Sequence, residues 1–326
     1  MELYKGVRGR VSVVTPVYNG ERHLHRLLES VLAQNWDEIE MILVDDGSRD
    51  GTLEAARAFQ GRFQARGFSF QILSAEHRNA SAAINRALPL VTGEFLVWPD
   101  SDDALRPDSI RARVDFLRTN PQYQCVRSLP DYRGEDGAPV PPQENLSPTD
   151  SEELFFPVLM GDSFVCCGCY MLRCQAFFSI YPQRQIPEFA WGQNFQMLLP
   201  FLYRHRCPTL PEALYTVYVT PDSHSRRELT WEEEREKYAA YEALIDQLAH
   251  ICPIRRLGER RRIAQWKYRR RFSLRQRHGD RRGALAALFC LWVLGGKKTG
   301  RALREAVWMF PRLHQLLGSL RRWLKK

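Results

Sequence analysis

The strongest constraint on this chain is a rhythm in its first hundred or so residues. Short β-branched apolar runs alternate there with stretches of helical period. Val11 to Val14 and Ile39 to Asp46 are runs of the first kind, each ending in a polar or glycine-containing turn, as strands buried on both faces do. Between them Leu24, Leu27, Leu28, Val31 and Leu32 recur on one helical face after the Asn19-Gly20 turn. The alternation continues with a helix over Gly51 to Gln64 that Asp50 is placed to cap, then a strand near Phe70 to Leu73. A helix near Ser81 to Leu88 and a strand over Glu94 to Trp98 follow. Strands and helices at this spacing build a mostly parallel sheet with crossover helices, an α/β fold. In open sheets of that kind ligands bind beyond the carboxyl ends of the strands, so the polar clusters there are where chemistry is expected.

Beyond this region Leu129 to Ser151 is rich in Pro, Gly and acids and reads as a long surface loop. Residues 152 to about 218 turn apolar and aromatic again and read as the second half of the same domain. Thr230 to Ala249 carries a Thr-x-x-Glu capping signal at Thr230 and Glu233 and reads as a helix. The apolar run Ala284 to Leu294 is eleven residues, too few to span a bilayer as a helix, and suits a helix lying in an interface. The expected division is a catalytic domain over 1–228 and a basic helical extension over 229–326.

Charge is distributed unevenly. Residues 251 to 326 hold 22 Lys and Arg against three acids, Glu259, Asp280 and Glu305, a local net of +19. Subtraction from the whole-chain totals of 47 and 38 leaves 25 basic and 35 acidic residues before position 251, a net of −10. A basic tail on an acidic body points to a polyanionic partner. No zinc-finger spacing or RNA-recognition aromatic motif accompanies the charge, so nucleic acid is not expected. An anionic membrane surface is the expected partner, with Trp266, Trp292, Trp308 and Trp323 suited to interfacial positions. The rival reading packs the basic helices on the body or on a protein. Met1 to Arg10 has no apolar core of a secretory signal, so the chain is expected in the cytoplasm, peripheral on the inner membrane face. Eight cysteines, with Cys166, Cys167, Cys169 and Cys174 clustered, do not show paired zinc-knuckle spacing and are expected to stay reduced.

Two acidic clusters follow predicted strands. Asp45-Asp46-Gly47-Ser48 places carboxylates before a glycine turn, where one can accept the N3 hydrogen of a uracil ring; the alternative is an ordinary turn and cap. Asp100-Ser101-Asp102-Asp103 crowds three carboxylates into four positions, a repulsion that a hard divalent cation, Mg²⁺ or Mn²⁺, would relieve. An acidic turn without a metal is the alternative there.

The segments Val13-Val14-Thr15-Pro16-Val17-Tyr18-Asn19, Asp45-Asp46-Gly47-Ser48 with Asp50-Gly51-Thr52, and Gly93-Glu94-Phe95 leading into Asp100-Ser101-Asp102-Asp103 resemble the family 2 glycosyltransferases of the Rossmann-like GT-A fold. The likeness covers residues 11 to about 108 and weakens beyond. It implies that Thr15, Pro16 and Tyr18 line a nucleotide pocket, Tyr18 beside the base, with Asp46 on the uracil edge. It further implies that Asp102 meets ribose or metal and that Asp103, with Asp100, holds the ion. The implied donor is a UDP-sugar, the implied acceptor a hydroxyl on a glycan or lipid-linked glycan, and the implied reaction a direct displacement with inversion.

Two departures stand out. Many members carry an Arg before the Asn of the helix preceding the metal-binding strand, where this chain has Ile84 before Asn85. His77 and Arg78 are candidates to meet the diphosphate instead, a solvated turn being the alternative. Inverting members also present a Glu-Asp pair whose Asp deprotonates the acceptor; here Gln193-Asn194 stands in its place, and neither amide is a base. Glu188 and Asp162 are the candidate substitutes, and His224 is a candidate to return to the metal or diphosphate. Trp98, Trp191 and Phe195 read as core rather than as a sugar platform. Without a base, the rival function is a sugar-nucleotide-binding protein that no longer turns over.

Overall fold

The computed structural model describes residues 4–141, 151–219 and 229–295. The chain divides into two compact units, Met1–Arg227 and Glu228–Lys326, each considered on its own.

The first unit is built on β1 (Val7–Val17), β2 (Ile39–Asp45), β3 (Ser69–Ser74) and β4 (Gly93–Val97), connected through α1 (Leu24–Leu32), α2 (Thr52–Ala58), α3 (Gln60–Ala65) and α4 (Ala80–Ala87). Beyond them lie β5 (Ala104–Leu105), α5 (Ser109–Thr119), β6 (Cys125–Gly134), α6 (Phe155–Met160), β7 (Tyr170–Arg173), α7 (Cys174–Ile180), α8 (Asn194–Arg204) and β8 (Thr209–Val219). All eight strands form one sheet in the order β3-β2-β1-β4-β7-β6-β8-β5. β1, β2, β3 and β4 pair in parallel, whereas β7 meets both β4 and β6 antiparallel and β5 meets β8 antiparallel. β6 and β8 run parallel, so the second half mixes both senses.

Three of the four parallel strands, β1, β2 and β4, are buried over most of their length because their apolar runs leave no polar face there, while β3 at the sheet edge is partly exposed. Every residue of β2 is buried, and Val11, Val13 and Val14 of β1 are wholly inaccessible. α1 covers this sheet with Leu24, Leu27, Leu28 and Val31. Since β1, β2 and β4 point the same way, their ends deliver Tyr18, Asp46 and the 100–103 loop to one edge of the sheet.

Two expectations need correction. The helix over 51–64 is two helices broken at Phe59. The loop expected from Leu129 is instead strand as far as Gly134, and the chain folds back through a bridge between Arg133 and Pro139. Pro130 hid the strand: it falls where the β6–β8 register shifts, a place where a missing N–H is tolerated. Residues 142–150 lie outside the described residues.

The second unit contains α9 (Trp231–Ile251), α10 (Leu257–Arg277) and α11 (Arg281–Val293). The predicted capping box is present, with the Thr230 hydroxyl accepting from Glu233 N–H and the Glu233 carboxylate from Thr230 N–H. No described helix is long and apolar enough to cross a membrane.

Candidate functional site

The loops after β1 and β2 are knitted together. Asn19 N–H donates to the Ser48 hydroxyl (2.8 Å), Arg49 N–H to the Asn19 side chain (2.9 Å) and Gly20 N–H to the Thr52 hydroxyl (2.8 Å). Gly47 adopts φ +73°, and a Cβ there would lie 2.7 Å from the His77 nitrogen, so only glycine lets the β2 loop approach the 75–77 segment. This approach brings His77 onto Tyr18 and Asp46. The His77 ring stacks on Tyr18 with centroids 3.9 Å apart, and its Nδ1 lies 2.9 Å from a carboxylate oxygen of Asp46. Arg78 N–H donates to the other Asp46 oxygen at 3.0 Å. Asp46, 3% exposed, is thus fixed beside an aromatic ring, while Pro16 and Tyr18 are half-buried. Thr15 is completely buried and its hydroxyl donates to the Pro99 carbonyl at 3.0 Å. It braces the acidic loop, where a pocket-lining position was expected.

The acidic loop leaves β4 between Trp98, which is buried in the core, and β5. Burial foremost, and then the charge of Asp102, raise the Asp100 carboxyl to about 6. Burial, then Asp102 and Asp100, push Asp103 well above the usual carboxylate range. The hydrogen bonds to these two acids come from neutral groups. Gln193 Nε2 (3.4 Å) and the Cys167 thiol reach Asp100, and Tyr218 N–H (2.9 Å) and the Tyr215 hydroxyl reach Asp103.

Tyr215 was invisible to sequence reasoning as a site residue, since it sits in an apolar run. It is fully buried on β8, and its oxygen also accepts Asp100 N–H at 3.0 Å, so one hydroxyl ties both ends of the loop. Gly168 makes the space: a Cβ there would lie 2.0 Å from the Tyr215 ring.

The segment before α8 is held by α4. Asn85 exchanges two hydrogen bonds with Ile186 (2.8 and 2.9 Å), and Ser81 Oγ takes Phe189 N–H at 2.7 Å. Glu188 is thereby set against Arg78, and the two form an ion pair at 2.5 Å. The candidate base and the candidate diphosphate ligand are therefore each other's partner in this state. Gln193 and Asn194 open α8 at the acidic loop, where Asn194 Oδ1 accepts Trp98 Nε1–H at 3.2 Å. Asp162 follows the left-handed Gly161 that ends α6, and His224 lies outside the described residues. Cys167, Cys169 and Cys174 are buried free thiols, with Cys166 partly so.

Mg²⁺ and Mn²⁺ were the expected cofactors. Among the described residues no group of three His, Cys, Asp or Glu side chains is drawn together as a metal cage. The donor set nevertheless suits a cation held by one or two carboxylates and completed by a ligand's phosphates, because Asp100 and Asp103 are crowded hard oxygen donors.

The sequence profile of "Glycosyl transferase family 2" matches residues 12–179. EpsE of Bacillus subtilis (strain 168), named as a glycosyltransferase, is 30% identical over 228 residues, covering 68% of this chain and 77% of that one. Among solved structures, S. aureus TarS 1–349 in complex with UDP-GlcNAc superposes with a TM-score of 0.59 at 17% identity, over 95% of this chain and 92% of that one. The mannosyltransferase PcManGT from Pyrobaculum calidifontis, in complex with GDP-Man and Mn²⁺, gives 0.55 at 17% identity, over 95% and 83% of the two chains. The GT-A fold expected from the sequence is the fold of these neighbours. The profile and the EpsE likeness together establish that the chain belongs to glycosyl transferase family 2.

Proposed function

We propose that this glycosyltransferase moves a sugar from a UDP-sugar to a hydroxyl of a glycan or lipid-linked glycan, by direct displacement with inversion. The observation that carries the reading is the convergence of Tyr18, His77 and Asp46 with the 100–103 acids at one sheet edge. A planar base can stack on Tyr18 in the place the His77 ring holds, and the Asp46 oxygen that His77 then leaves can take the single imide hydrogen of uracil. Adenine presents an acceptor, N1, where uracil presents its N3 hydrogen, so this carboxylate favours a uridine over an adenosine nucleotide. TarS was solved with UDP-GlcNAc, which agrees in kind.

Asp103 and Asp100, with Asp102 beside them, would hold a divalent cation, which when bound supplies positive charge to the diphosphate leaving group. PcManGT was solved with Mn²⁺. The protein's own part is to fix the reactants and keep preset dipoles around the developing charge. Thr15 and Tyr215 hold the acidic loop still, and Arg78 lies beside Asp46 at the pocket wall. Glu188 can take the acceptor proton only when Arg78 releases it, which a diphosphate drawing Arg78 away would allow. The domain division proposed for this reaction keeps 1–228 as the catalytic part.

A second reading is favoured by Gln193-Asn194: a protein that binds the sugar nucleotide and does not turn it over. A panel of UDP-sugars incubated with Mn²⁺ and with glycan and lipid-linked glycan acceptors, read for released UDP, separates the two. Release that is lost in Glu188→Gln supports transfer with Glu188 as base. Binding without release from any donor supports the second reading.

A further inference from the structure

The apolar run 284–294 has two opposite faces in the structure. Ala284, Ala287, Leu288 and Leu291 of α11 are buried in a cluster with Phe272 of α10, against which Tyr268 packs. Among the described residues the other face is uncovered: Leu285 is 41% exposed, Phe289 62%, Trp292 63% and Val293 61%, at the i, i+4, i+7, i+8 spacing of one helical stripe. The helix is held so that this face stays outward. Asp280 caps its start by accepting Gly283 N–H at 2.9 Å, and Gln265 of α10 donates to the Leu294 carbonyl at its end at 2.8 Å. Arg281 and Arg282, both exposed, stand on the same side at the first turn, and Lys297 and Lys298 follow the helix in sequence.

We propose that this outward face of α11 seats the enzyme on an anionic lipid surface, with Phe289 and Trp292 entering the headgroup boundary and Arg281 and Arg282 meeting lipid phosphates. Charge complementarity selects this occupant: an aromatic and aliphatic stripe ending in arginines matches an interface that is apolar below and anionic above. At thirteen residues α11 lies in that interface and does not cross it. The proposal refines the tail reading, because Trp266, expected at the interface, is 4% exposed and packed under Arg270. It rests on the second unit and is independent of the donor chemistry.

The test uses the full chain sedimented with vesicles of phosphatidylcholine, with and without phosphatidylglycerol, beside the surface variant Phe289→Ser/Trp292→Ser. The parent is expected to bind only the anionic vesicles, and the variant to lose at least about tenfold in partitioning while metal-dependent UDP binding is unchanged. Equal binding by the variant, or no binding by the parent, overturns the proposal. So does a parent that self-associates and becomes monomeric on substitution, since a second copy would then cover the face. Should the double variant misfold, Trp292→Phe keeps the bulk: lipids brominated in the acyl chain must quench the parent's tryptophan emission more than that of Trp292→Phe, and equal quenching overturns the insertion.

Discussion

Both units of this chain concentrate charge of one sign at some point, and the structure treats the two concentrations in opposite ways. In the first unit, acids are packed together after β4 and bonded by neutral donors, so that burial and mutual repulsion hold Asp100 and Asp103 above the usual carboxylate range. In the second unit several of the crowded bases find acids. Arg271 is forked onto Glu242, Lys267 meets Asp246, and Arg277 and His278 share Glu234. Arg270 lies over the rings of Tyr238, Tyr241 and Trp266 at 4.4, 4.8 and 5.0 Å. The net of +19 counted from residue 251 leaves these pairs out, because their acids sit on α9, just before that boundary. Like charges left uncompensated mark a place awaiting a ligand; those compensated within the fold mark architecture.

The largest expected effect is from Asp103→Asn, which should lower metal-dependent UDP affinity by at least about 100-fold while thermal stability holds or rises, since a repelling buried acid is removed. Titration calorimetry beside a melting curve checks both. Tyr215→Phe keeps the ring and removes the hydroxyl that ties the loop, and should weaken the Mn²⁺ dependence of UDP binding by about tenfold while lowering the melting temperature, because Asp100 N–H and Asp103 lose a buried partner. If the hydroxyl served only the core, the melting temperature would fall and the Mn²⁺ dependence would stay.

The acids also predict a pH dependence. An acid whose folded value is raised binds more protons folded than unfolded, so the stability it contributes is present below about pH 4 and is lost as pH rises through about 6 and beyond. The metal-free chain should therefore lose stability through these groups between pH 4 and 7, and Mn²⁺ should raise its melting temperature more at pH 7 than at pH 5. The smallest effect is on the other side of the comparison. Glu242→Gln removes a partly buried acid from Arg271 and should cost the second unit about 1 kcal/mol, discounted because Arg271 is 43% exposed. The same variant should bind anionic vesicles no more weakly than the parent, because it frees a base.

The parallel half of the fold was legible because its strands announce themselves by composition. Ile39 to Asp46 has nowhere to be but a doubly covered strand, and its polar end must then lie at the sheet edge. The 209–219 strand was less so: its working residue, Tyr215, looks like one more apolar side chain until Asp100 is seen donating to it. Long-range pairings of this kind carry no periodic signal. The Arg78–Glu188 ion pair joins residues 110 positions apart, which is why sequence reasoning assigned the two to separate tasks. Charge counts do not show the α9–α10 ion pairs for a related reason, since those depend on which acid faces which base.

The most direct test of the central claim, that the crowded acids and the Tyr18–His77–Asp46 wall form one cation-dependent uridine diphosphate site, is calorimetric titration of the full chain with UDP. It is run with and without Mn²⁺ and beside ADP and GDP. The account predicts binding that requires Mn²⁺ and favours UDP. UDP binding unaffected by Mn²⁺, equal binding of ADP, or no binding with the metal present would contradict it.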